Sequence, residues 1–229
     1  MKHVKPTHII FCITALLMLV CAAFFEKQNI VYVYPFPVIA IFWMYMTEKK
    51  EPLSILYVLT LAITIVGGVL LLLGLRKFTP EVSILFSLYY IFYMRLMYLK
   101  NERKKTNRIL YFRLALIVLP IIYIYDRVMC LIYKEISDTF AYFAVLVILV
   151  LIYIIVALYY YLRNKNQTNL WMLIASCNIG IMNLIIMINE LYVTETFFTV
   201  IALFCCNLKL YFAMKFMLED EKNTLPDIV

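Results

Sequence analysis

The chain has 229 residues, of which 66% are hydrophobic and 15% charged, with a mean hydropathy of +0.91. A soluble domain is about 45–50% apolar and about 25% charged, and a chain of this size has too little interior to hide the excess. With only four glycines, the composition excludes collagen-like, disordered and disulfide-scaffold classes. It predicts an integral membrane protein, and the net charge of +7 is read below as a topology signal rather than a nucleic-acid footprint.

A bilayer core about 30 Å thick needs roughly 20 residues of helix. The charge-poor stretches predict eight spans, at 8–25, 30–47, 53–75, 82–99, 109–125, 139–162, 170–188 and 196–214. The expected fold class is therefore all-α: one polytopic bundle of eight transmembrane helices over residues 1–229. Short connections leave no room for a soluble domain.

The first span follows Lys2 and Lys5, as a signal peptide would, but no small-x-small cleavage site follows it. An uncleaved first helix is expected. Pro35-Phe36-Pro37 opens the second span.

In the third, Thr60, Thr64, Gly67 and Gly74 are spaced 4, 3 and 7 apart and share one helix face. Small residues there let backbones approach closely; the alternative is that Gly67 and Gly68 line a cavity.

The fourth and fifth spans carry Arg95 and Arg113 near their predicted inner ends. Both are expected to snorkel to the headgroups, with Tyr98 and Tyr111 in the interfacial belt. The loop between these spans, from Lys100 to Arg108, is the most basic and would attract anionic lipid.

The seventh span is the most polar. Ser176, Gly180, Asn183 and Glu190 share one face, and Asn178 and Asn189 lie nearby. An unpaired amide in hydrocarbon costs several kcal/mol, so these side chains must meet other helices or water. Glu190 falls at the outer end, where it is either solvated or part of a site. In the eighth span Asn207 and Lys209 sit at moderate depth. Lys209 either reaches the inner interface with its long stem or faces the bundle interior and holds an anionic group.

Lys and Arg in alternate loops set the orientation. With the N-terminus inside, thirteen fall on the inner side and five on the outer, which places both termini in the cytoplasm. The high Ile, Lys, Asn and Tyr content suggests an AT-rich bacterial genome, hence a bacterial cytoplasmic membrane.

The six cysteines show no CxxC, and Cys205 and Cys206 are adjacent, so a structural role is expected and no metal site. GxSxG, HExxH and Walker patterns are absent, and no cofactor is implied. Both histidines, His3 and His8, lie at the N-terminus.

Two stretches resemble the YhhN or lysoplasmalogenase-like membrane family. Residues 65–73, IVGGVLLLL, follow the form of that family's third-helix motif, LLGDVLLML. Residues 182–189, MNLIIMIN, follow its seventh-helix motif, Ser-Asp then LLLALN. The resemblance implies eight short-looped helices with the N-terminus inside and a lipid substrate. The family's two aspartates, thought to cleave a vinyl ether, correspond to Gly68 and Asn183, and its Lys-Pro lysine to Phe36. Glycine has no acid, and an amide cannot release a proton near neutral pH.

The expectation is a non-catalytic member that binds a lipid or apolar small molecule between the third, seventh and eighth helices. Its candidate residues are Gly67, Gly68, Asn178, Asn183, Glu190, Asn207 and Lys209. Expected partners are membrane lipids and that ligand, with no nucleic acid. The alternative is a divergent lipid hydrolase that recruits Glu190 or Asp126 as its acid. Third is a transporter or sensor. A transporter would break helices in corresponding halves, whereas here Pro120 interrupts the fifth span and Gly67-Gly68 the third.

Overall fold

The computed structural model describes residues 5–50, 52–101 and 108–219. Among them there is no strand, and eight helical segments are long and apolar enough to cross a membrane. The chain is a multi-pass membrane protein built as an all-α bundle. Lys2, His3, Lys222 and residues 102–107 of the basic loop lie outside the described residues.

In chain order the helices are α1 (Pro6–Phe24), α2 (Lys27–Val33), α3 (Pro35–Glu48), α4 (Ile55–Gly74), α5 (Thr79–Lys100), α6 (Arg108–Ile132), α7 (Phe140–Arg163), α8 (Gln167–Leu191) and α9 (Thr196–Leu218). Two 3-10 turns, Tyr133–Glu135 and Ser137–Thr139, join α6 to α7.

The expected second span is two helices, α2 and α3. It begins at Lys27, so Pro35 and Pro37 stand inside it rather than at its opening. Pro lacks the amide hydrogen that would continue the ladder and crowds the preceding turn. The helix is interrupted at Tyr34, which keeps helical dihedrals (φ −53°, ψ −39°) and whose amide still donates to the Ile30 carbonyl at 2.8 Å.

Two expected interruptions do not occur: α6 is continuous through Pro120, and α4 is continuous across Gly67-Gly68. Gly74 is not a packing residue either. A Cβ there would meet nothing within 4 Å, and its φ of +138° belongs to a conformation that glycine adopts freely. It ends α4, and its carbonyl accepts from the amides of Lys77 and Phe78, each at 3.2 Å.

α8 and α9 form the most extensive helix pair, and α9 also packs on α1 and α3. α5 is held between α4 and α7, and α7 bridges to α8. α1 and α6 are the most peripheral spans. Close packing thus ties α4 to α5 and α8 to α9, whereas α4 and α9 face each other across side chains. That gap holds the candidate site.

Lipid tails are as apolar as leucine, so burial alone gives membrane helices little reason to associate. Buried tyrosines contribute instead. Tyr57, Tyr89, Tyr90, Tyr93 and Tyr153 are all at most 2% exposed, with neighbouring ring centroids 4.7–6.4 Å apart. Tyr125 on α6 donates to the Gly180 carbonyl on α8 at 3.0 Å. At the opposite end of the bundle from Glu190, Asn101 and Asn169 exchange amide hydrogen bonds of 3.0 and 2.9 Å, while Asn166 caps α8 by accepting from the Asn169 amide at 2.8 Å.

Candidate ligand-binding site

An open-mouthed cavity lies among α2, Tyr34, α4, α5, α8 and α9. Its walls are chiefly apolar, from Leu71 and Leu72 on α4, Phe86 on α5, Met182 and Ile186 on α8, and Ala202 and Leu203 on α9. Polar groups stand at its two ends.

At the rim, Lys27 and Glu190 form an ion pair between the start of α2 and the end of α8. Their side chains are 30% and 14% exposed, so Glu190 is neither freely solvated nor fully buried. Beside it, Asn189 donates to the Thr199 hydroxyl at 3.0 Å and accepts from the Glu195 amide at 2.9 Å, closing the turn between α8 and α9.

At the inner end is Lys209. Only 2% of it is exposed, and among the described residues it has no hydrogen-bond or ion-pair partner. Its Nζ lies over the rings of Tyr89 and Phe86, 5.0 and 5.8 Å from their centroids. Lys209 does not snorkel to the interface; it faces the interior.

Tyr34, at the junction of α2 and α3, forms part of the wall. Its phenol donates to the Thr64 carbonyl on α4 at 3.2 Å and lies 3.8 Å from the Cys206 Sγ. Gly68 makes that approach possible: a Cβ built there would stand 2.2 Å from the ring. Gly67 faces Phe86 instead, with a Cβ position 3.3 Å from its ring. Close packing and cavity lining, posed as alternatives from the sequence, coincide at Gly68.

Of the seven candidates, Gly68, Glu190 and Lys209 line the cavity, and the other four do not. Asn178 is satisfied within its own helix, donating to the Ile174 carbonyl at 2.8 Å. Asn183 donates to the Tyr90 hydroxyl at 3.0 Å and to the Ile179 carbonyl at 2.8 Å, which makes it a tie from α8 to α5. Asn207 is buried, and neither of its amide atoms has a partner among the described residues. The shared face of Ser176, Gly180, Asn183 and Glu190 is divided among separate neighbours: Gly180 under Tyr125 and Ile154, Asn183 on Tyr90, and Glu190 on Lys27.

Gly68 and Asn183, the two positions expected to correspond to aspartates in the family that the sequence resembles, do not share the cavity either. Gly68 lines the cavity, while Asn183 is spent on Tyr90. Asp126 is exposed on α6 and absent from the cavity wall. Arg95 and Arg113 are exposed, and Arg95 stacks over Tyr98 at 5.4 Å.

Tyr34, Lys27 and Cys206 had no signal of their own in the sequence. Lys27 reads as a loop cation, and Tyr34 as one of nineteen tyrosines.

Among the described residues no three His, Cys, Asp or Glu side chains are grouped to hold a metal. His8 is instead 2.7 Å from Glu48, which also pairs with Lys5 at 3.5 Å.

Fold and site together define a multi-pass helical membrane protein with an apolar interior cavity that is charged at both ends. Comparison with protein-family models, with curated proteins and with solved structures found no match.

Proposed function

We propose that the protein is a non-catalytic binder of a lipid or apolar small molecule, of YhhN-like type, in a bacterial cytoplasmic membrane, with the ligand seated among α4, α8 and α9. The observation that carries this reading is the convergence of Gly68, Glu190 and Lys209, one from each of those helices, on a single apolar cavity. Cavities with apolar walls and a few placed polar groups are the usual form of a small-molecule site.

The hydrolase alternative keeps one support, since Glu190 is the carboxylate on the cavity wall. Against it, Glu190 is engaged by Lys27, and acting as a proton donor would require breaking that pair. No second acid stands beside it on the wall.

Mass spectrometry of lipid retained after gentle purification tests the binding reading. The native protein should carry a stoichiometric lipid or apolar compound. Ala202→Phe, which projects a ring into the cavity, should lose it. Equal retention by both proteins would refute this seat for the ligand.

A further inference from the structure

We infer that the ligand is a single-chain amphiphile with a carboxylate end, and that Lys209 holds the carboxylate. This rests on the ligand-binding reading above and gives the ligand its chemical class.

Lys209 places an amine inside the bundle without a counter-charge among the described residues. It is 2% exposed and lines the cavity, with no hydrogen-bond or ion-pair partner among them; the polar group beside it is the Cys206 thiol. The ring faces of Tyr89 and Phe86 offset only part of the cost of taking an ammonium out of water. Helical side chains lean toward the helix N-terminus, so the stem from position 209 runs toward Cys206 and Ala202, which also line the cavity. Glu190, the wall's only carboxylate, is already taken by Lys27. A ligand can supply the missing anion.

The number of donors selects the kind of anion. At the inner end Lys209 is the one basic side chain: Lys27, the other lysine on the wall, is paired with Glu190 at the rim, no arginine lines the cavity, and the nearby Tyr34 hydroxyl already donates to the Thr64 carbonyl. A phosphate monoester carries about −1.5 to −2 charges and three acceptor oxygens, which one lysine leaves largely unmatched. A carboxylate is matched one to one.

The walls select the rest of the molecule. Between Lys209 and the rim they are apolar, and along α9 the distance from Thr199 to Lys209 is about 15 Å at 1.5 Å per residue. That length suits an alkyl chain.

The test measures equilibrium binding of three radiolabelled twelve-carbon probes to the full-length protein in nanodiscs of zwitterionic lipid: dodecanoate, dodecanol and dodecyltrimethylammonium. Dodecanoate should bind at least tenfold more tightly than dodecanol, and dodecyltrimethylammonium most weakly. In Lys209→Met, which keeps the length and apolar stem, dodecanoate should fall to the level of dodecanol while dodecanol binding is retained. Dodecanol binding as tightly as dodecanoate would overturn the inference and leave the cavity reading standing. A carboxylate preference that survives Lys209→Met would overturn the role of Lys209. Failure of all three probes to bind the native protein would remove the cavity reading as well. Should Lys209→Met fail to fold, Ala202→Phe gives an independent reading: dodecanoate affinity must drop at least tenfold, and undiminished binding would overturn the inference.

Discussion

The ring of Tyr34 occupies the space where any side chain at position 68 would begin. A Cβ on Gly68 would stand 2.2 Å from three atoms of that phenol, far inside van der Waals contact. Overpacking a membrane core forces side chains from their rotamers or shifts backbone, typically at about 1–3 kcal/mol. Gly68→Ala should therefore lower the thermal stability of the purified protein clearly, and Tyr34→Ala in the same chain should restore much of the loss. Gly67→Ala, facing a Phe86 ring at 3.3 Å, should cost less. Equal melting of Gly68→Ala and the native protein would mean that the Tyr34 ring does not lie there.

The same contact bears on chemistry. No vinyl-ether hydrolysis of lysoplasmalogen is expected above a no-enzyme control, since general acids and bases commonly contribute on the order of 10²–10⁴-fold each and neither Gly68 nor Asn183 supplies one. Introducing both aspartates by Gly68→Asp/Asn183→Asp should not create activity by itself, because an Asp at 68 meets Tyr34. A triple variant that adds Tyr34→Ala is the fair test of a decayed site. Hydrolysis by the native protein that disappears in Glu190→Gln would sink the non-catalytic reading.

Lys27 and Glu190 join the start of α2 to the end of α8 across 163 residues. Their partial exposure places the pair between the exposed and buried limits, so breaking it should cost about 1–2 kcal/mol. Lys27→Met and Glu190→Gln should each lower the melting temperature, and the exchange Lys27→Glu/Glu190→Lys should recover part of it. Additive loss in the exchange variant would argue against a direct pair.

Orientation is a separate prediction, drawn from the thirteen-to-five distribution of Lys and Arg. Lys134 and Thr194 are exposed in the connections after α6 and α8. Lys134→Cys or Thr194→Cys should react with an impermeant thiol reagent added to intact cells, and Lys104→Cys should not. Labelling at position 104 would reverse the assignment.

The sequence by itself determined the spans. A run of about 20 apolar residues is a property of the chain in one dimension, and the bilayer reads it in one dimension. All eight predicted segments correspond to helices, with ends shifted by a few residues at most places. The largest shift is at the end of the fifth span, where α6 continues past 125 to Ile132; the second span differs in kind, because the helix is interrupted before Pro35, inside a segment that the prolines were expected to open. Which polar residues share a site was a different kind of question. Face periodicity put Asn183 and Glu190 together, yet Asn183 is consumed by Tyr90 on α5 and Glu190 by Lys27 on α2. Helical spacing says which residues point the same way, but not which neighbour stands opposite at each turn. Gly68 became part of the site because the Tyr34 ring, from the junction of α2 and α3, packs on it. Lys209 faces the interior because Tyr89 and Phe86 on α5 receive its amine. Both outcomes depend on residues far apart in the chain, and the packing of α2, α5 and α9 around one cavity decided them.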